Sequence, residues 1–168
     1  MTDATLTALA LFPLQLQAHY AALPDGHAHW TPASWDGIPS ERFAPIAQLC
    51  HVRDIEREGY HVRFRRALQE EHPQLVDIDS YALAEWRDYA ACHDARAVLD
   101  DFAAARADTV ALLSKLTPRE LARTAHFPGH GHVTVRGLMH YLCSHDQQHL
   151  SGLQWLLGRI DASRPATA

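Results

Sequence analysis

Apolar residues recur three or four positions apart along four long stretches of this 168-residue chain. No other property limits its fold so narrowly. A period near 3.6 places such residues on one side of a helix and leaves the other side to water. Leu6, Leu9, Leu16, Tyr20 and Leu23 form the first stripe. Ile46, Leu49, Val52, Ile55, Gly59 and Val62 form the second. Tyr81, Trp86, Tyr89, Leu99, Phe102, Val110 and Leu113 form the third. Val135, Leu138, Leu142, Leu153 and Leu156 form the last.

Punctuation residues set the expected boundaries. Pro13 kinks the first helix or marks its start. Residues 23–40 carry Pro24, Pro32, Pro39, Gly26 and Gly37, with Trp30 and Trp35, and read as a long ordered loop. The second helix is expected from Phe43 to Glu71, with Ser40 as N-cap and Pro45 in the first turn. His72-Pro73 ends it. Asp79 caps a third helix over Ser80 to Leu116, kinked near Cys92-His93-Asp94. Thr117-Pro118-Arg119-Glu120 is a capping box that opens a short helical turn. A loop from Phe127 to His132 follows. Thr134 caps the last helix, Val135 to Gly158, and Asp161 to Ala168 form a loose tail. No strand is expected. The pattern is one all-α domain over 1–168, a four-helix bundle with long inter-helix loops and its core at about 6–158.

Composition excludes several roles. Apolar residues make up 47% of the chain, so it folds, yet charged or polar residues interrupt every apolar run before it reaches membrane-spanning length. The start Met1-Thr2-Asp3-Ala4 lacks a basic signal-peptide region, and a cytoplasmic location is expected. A net charge of −5 argues against a nucleic-acid partner. Arg63, Arg65 and Arg66 cluster, but Glu70 and Glu71 follow, and the group reads as a solvated helix face. Cys50, Cys92 and Cys143 are widely spaced and read as reduced thiols.

The thirteen histidines are the chemical bias of the chain. His145 and His149 are four residues apart and continue the core stripe of the last helix, so both imidazoles face the bundle interior one turn apart. An unpaired polar group there costs roughly 1–3 kcal/mol, and one metal ion satisfies both rings. His51 lies beside the stripe of the second helix. Asp54 and Glu58 share its face, as further ligand, partner of an imidazole or general base. Surface pairing with Arg57 or Arg53 is the alternative, preferred for Glu58 and left open for Asp54. His130 and His132 sit on a glycine loop able to cover a site. His19, His61, His72, His93, His126 and His140 read as ordinary surface or hydrogen-bonded histidines. Gly152, one turn beyond His149, leaves space for a cavity, which the Trp30/Trp35 and Phe127–His132 loops wall.

Three segments together resemble the DinB/YfiT-like superfamily of metal-binding four-helix bundles. They are Cys50-His51-Val52-Arg53-Asp54-Ile55-Glu56, Gly131-His132-Val133-Thr134-Val135 and His145-Asp146-Gln147-Gln148-His149-Leu150, with Ser34-Trp35 ahead of them. The resemblance runs from about Leu6 to Gly158. It implies a divalent ion, zinc or nickel foremost and iron among the others, held by His51, His145 and His149 with water in the remaining positions. It also implies a homodimer, and transfer of a low-molecular-weight thiol or thiol-dependent isomerisation. Metal-assisted hydrolysis of a small-molecule electrophile uses the same parts with water. Asp54 or Glu58 would move the proton. A non-catalytic metal-binding protein and a metal-free helical interaction module are the competing readings.

Overall fold

Each apolar stripe becomes helical in the computed structural model, which describes residues 4–164. The first stripe forms α1 (Ala4–Ala21), burying Leu9, Phe12 and Leu16. The second forms α2 (Pro45–Asp54), a π-helical turn (Ile55–Tyr60) and α3 (His61–Gln69), with helical backbone angles across both junctions. The third divides into α4 (Ser80–Trp86), a tight turn at Tyr89–Ala91 and α5 (Ala95–Leu113). After α6 (Pro118–Leu121), the last stripe forms α7 (Val135–Ser163). α1 lies against both α5 and α7, and the α2–α3 segment packs against the same two helices, which closes the four-helix bundle. Among the described residues no helix is long and apolar enough to cross a membrane.

Side-chain caps account for most boundaries. Asp79 accepts from the N–H groups of Tyr81 and Ala82, and Thr117 and Glu120 form the capping box. The Thr134 hydroxyl accepts from Gly137 N–H at 3.0 Å. Asp88 and Asp94 explain why the third helix is broken rather than kinked. Asp88 takes a left-handed conformation (φ 48°) and accepts from Ala91 N–H, while Asp94 caps α5 through Ala97 N–H. That break leaves Tyr81 and Trp86, expected to be buried, 53% and 71% exposed. Ser40 does not cap α2, which starts at Pro45 behind Ala44. α7 passes Gly158 because Ile160 is fully buried and anchors another turn. Of the expected tail, 165–168 lie outside the described residues.

The segment expected to be a loop holds two short strands. β1 (Thr124–Phe127) pairs antiparallel with β2 (Gly131–Thr134) across a turn in which Gly129 and Gly131 take positive φ. Ala125 and Phe127 alternate inward, so a period of two was present over only four residues. His126 also exchanges backbone hydrogen bonds with Pro73 and Leu75, tying the hairpin to the segment after α3.

The π turn resets the helix register. A π turn inserts one residue relative to regular helix, so the buried stripe rotates beyond it. Val62, which the regular period places inside, is 38% exposed, whereas Arg63 and Phe64 are buried.

One buried side chain joins all four bundle helices. Arg106 of α5 is 1% exposed. Its guanidinium bonds Glu56 of the π turn at 3.0 and 2.9 Å and Asp146 of α7 at 2.6 and 2.9 Å. Its Nη1 also donates to the Leu9 carbonyl of α1 at 3.1 Å. That carbonyl lies four residues before Pro13, which has no N–H to bond it. Arg106 supplies the missing donor, and α1 continues through the proline. Burial opposes the guanidinium charge, but Asp146 and Glu56 outweigh it and hold the pKa above the ordinary arginine range. Arg106→Met would leave two buried carboxylates without a cation. We expect a loss of about 3–5 kcal/mol, measured as a fall in the urea midpoint. Replacing Glu56 and Asp146 with apolar residues in the same chain should recover most of it.

Candidate metal centre

His51 comes from the last turn of α2, and His145 and His149 from successive turns of α7. The geometry brings these three together. One nitrogen from each ring lies within 4.8 Å of the others. His51 Nε2 is 3.2 Å from His145 Nε2. His51 and His149 are fully buried, and His145 is half-buried at the edge of a cavity. Phe43 packs on the His51 ring at 5.3 Å between centroids.

The orientation of His149 follows from its neighbour Gln48, itself fully buried. The Gln48 amide nitrogen donates to Ser40 Oγ at 3.0 Å, with the carbonyls of Glu41 and Phe43 at 3.1 and 3.3 Å. Carbonyls only accept, so the amide cannot be reversed. Gln48 Oε1 therefore accepts the proton on His149 Nδ1, at 2.5 Å. His149 Nε2 is left as a bare lone pair, buried and without a hydrogen-bond donor. Gly152 makes this chain of contacts possible. A Cβ there would stand 2.1 Å from Ser40 Oγ, so the space it leaves is filled by Ser40 rather than by the cavity.

Burial pushes the His51 imidazole down to about 3, with His149 adding to the effect and Glu41 opposing it. His145 is lowered for the same first reason, and both rings are neutral at physiological pH. Neutral imidazoles with converging lone pairs are the donor set that zinc and similar divalent ions take. Among the described residues, the buried polar atoms of this cluster left without a hydrogen-bond partner are Nδ1 of His51, Nδ1 of His145 and Nε2 of His149. The residues present fit a divalent cation.

Glu41, at the end of the long loop, reaches the same point. Its Oε2 lies 3.3 Å from His149 Nε2 and its Oε1 3.7 Å from His51 Nε2. Ser80, at the start of α4, donates to Glu41 Oε1 at 2.9 Å and fixes the carboxylate. Burial pushes Glu41 up, but His149 and His51 outweigh it and hold the carboxyl below its ordinary range. Beyond Glu41, His51 and His145 opens a cavity of about 320 Å³, with Tyr60, Phe127 and Tyr141 on its walls.

Comparison with known proteins fits this arrangement. The model of the DinB superfamily matches residues 11–152. The chain belongs to the DinB superfamily. Among solved structures, this superfamily member is similar to YfiT from Bacillus subtilis, described as a probable metal-dependent hydrolase with an unusual four-helix bundle topology. That likeness has a TM-score of 0.81 at 21% identity, covering 95% of this chain and 87% of YfiT. No curated protein matched by sequence.

Asp54 and Glu58 lie elsewhere in this DinB superfamily chain. Asp54 pairs with Arg53 at 2.7 and 3.1 Å, and Glu58 pairs with Arg87. Both line a separate depression with Arg57, which contacts Asp101 at 3.5 Å. Of the loop residues, His130 borders the histidine cavity, while His132 is exposed and Trp35 stacks on Trp155 of α7. Five other histidines have ordinary partners: His19 with Gln15, His61 with Thr109, His72 with Thr124, His93 with His29 and His140 with Thr5. His126 departs from that reading, since its ring packs on His132 and its buried Nδ1 has no hydrogen-bond partner among the described residues. Glu41, Gln48, Ser80 and Arg63 were not singled out as site residues from sequence. Gln48 had a legible signal, being a polar residue one turn before His51 on the same face. Glu41 sits in a loop, where no periodicity points anywhere.

Gly152→Ala should displace Ser40 and loosen Gln48. We expect a loss of about 1–3 kcal/mol, read by thermal melting. The hydrogen-bonded His149 Nδ1–H resonance in nitrogen-15 NMR should also disappear. A retained resonance would show that Gln48 does not set the tautomer.

Proposed function

We propose that this chain is a divalent-metal-dependent enzyme that activates a nucleophile, water first, against a small electrophile in the cavity beside His51 and His145. The observation that carries this reading is the convergence of three imidazoles, one of them oriented by Gln48, beside an accessible cavity. The description of YfiT as a probable metal-dependent hydrolase supports it. His51, His145 and His149 would hold the ion, and imidazole donors suit zinc or nickel. A bound divalent ion supplies Lewis acidity, lowering the pKa of water or a thiol and polarising a carbonyl oxygen.

The remaining work falls to the protein. Gln48 holds the His149 ring in the tautomer that presents Nε2. Glu41 is the proton acceptor in place of Asp54 and Glu58, because it alone of these carboxylates borders the cavity. Ser80 keeps one carboxylate oxygen hydrogen-bonded and leaves Oε2 facing the histidines. Phe43 and the bundle core exclude water from behind His51. A low-molecular-weight thiol uses the same groups, with Glu41 taking the thiol proton.

Metal analysis of untagged protein tests the site. His51→Ala and His149→Ala should each lose bound metal, and full metal content in both would remove this reading. Glu41→Gln should keep the metal while lowering kcat by roughly 10²- to 10⁴-fold. The assay is a panel of activated esters and amides with water, glutathione, bacillithiol or mycothiol as nucleophile. Loss of metal in Glu41→Gln would make Glu41 a ligand rather than a base.

A further inference from the structure

Arg63 is the one member of the basic cluster that does not face water. It is 4% exposed, turned inward by the π turn, and it lines the same cavity as His51 and His145. Gly59 gives it room, since a Cβ there would stand 3.0 Å from Arg63 Nη1. The guanidinium lies over the rings of Tyr60 and Phe127, at 4.9 and 4.5 Å from their centroids. Its polar contacts are few for a buried cation. Nε donates to the Val76 carbonyl at 3.2 Å, and Nη2 donates to Asp77 at 3.3 Å. Asp77 is an exposed side chain, and the same oxygen also accepts from Ile78 N–H. Nη1 has no hydrogen-bond partner among the described residues. Burial pulls the Arg63 pKa below its ordinary value, with Tyr60 and Asp77 opposing.

Compare Arg106, which is equally buried and carries two bidentate carboxylates. That guanidinium is fully matched. Arg63 holds a single exposed carboxylate by one long hydrogen bond, on a cavity wall. A structural tie between α3 and the segment at Val76 needs Nε alone. The rest of the guanidinium faces ligand space.

We propose that Arg63 is a carboxylate-recognising residue, and that the substrate is a small organic acid whose anionic end it takes while its apolar body lies along Phe127 and Tyr141. This deepens the metal-dependent reading, placing the electrophilic group at the histidine end of the same cavity. A guanidinium suits a planar carboxylate because two of its N–H groups match the two oxygens. The aromatic wall continues outward through His130, which stacks on Phe127 at 4.9 Å and lies 4.2 Å from Tyr141.

The test is calorimetric titration of full-length protein with phenylacetate and with its neutral analogue phenylacetamide, both metal-loaded and after chelation. Wild type should bind the acid more tightly than the amide by on the order of 10- to 100-fold. Arg63→Gln should abolish that preference, and Arg63→Lys should restore part of it. Asp77→Asn, an exposed change that leaves the fold intact, should tighten acid binding by roughly 3- to 10-fold by removing a competing carboxylate. Equal binding of acid and amide, an unchanged preference in Arg63→Gln, or no gain in Asp77→Asn would overturn the proposal. So would a preference that vanishes on chelation, since the carboxylate would then be held at the histidine end. A preference that persists in protein found to bind no metal would keep the Arg63 assignment and remove the metal-dependent reading instead.

Discussion

The bundle depends on one buried cation. Arg106 reaches α1, the π turn and α7 from its own place on α5, so every bundle helix is fixed against the other three at one point. Burying a guanidinium and two carboxylates is unfavourable unless each is matched, and here the match is bidentate on both sides. Apolar stripes alone tolerate sliding and rotation, whereas hydrogen-bonded forks do not. Asp146 adjoins His145 in the chain, and Glu56 lies five residues beyond His51. The contacts that align α2 and α7 thus sit beside the residues that must converge.

Much of this was legible in the sequence. The four stripes, the Asp79 and Thr134 caps, and the capping box at Thr117 all follow from local chemistry, and local chemistry survives in the fold. The His-x-x-x-His pair on the core stripe needed only helical geometry. Other features depended on distant groups. Pro13 reads as a helix breaker until Arg106, ninety-three positions away, is known to bond the Leu9 carbonyl. Glu41 belongs to a loop whose path is set by Ser80 and Gln48. Trp86 fits the third stripe yet is exposed, because Asp88 takes a left-handed turn that the stripe does not encode.

Polar matching also separates the two carboxylate-rich regions. Asp54 and Glu58 spend their charge on Arg53 and Arg87, so they are neutralised where they stand. Among the described residues Glu41 has no such arginine partner. It has a serine hydroxyl and imidazole nitrogens around it, and its charge remains directed at the histidine cluster. Identical side-chain chemistry becomes a salt bridge or a carboxylate aimed at the histidine cluster according to its neighbours.

The π turn at Ile55–Tyr60 ties helical register to chemistry. Closing the same residues into regular helix, with none removed, would rotate everything after the turn by about 100°. Val62 would then move inward and Arg63 outward, although every residue of the three-histidine cluster would still be present. In this segment the winding of the backbone carries as much information as the identity of the residues.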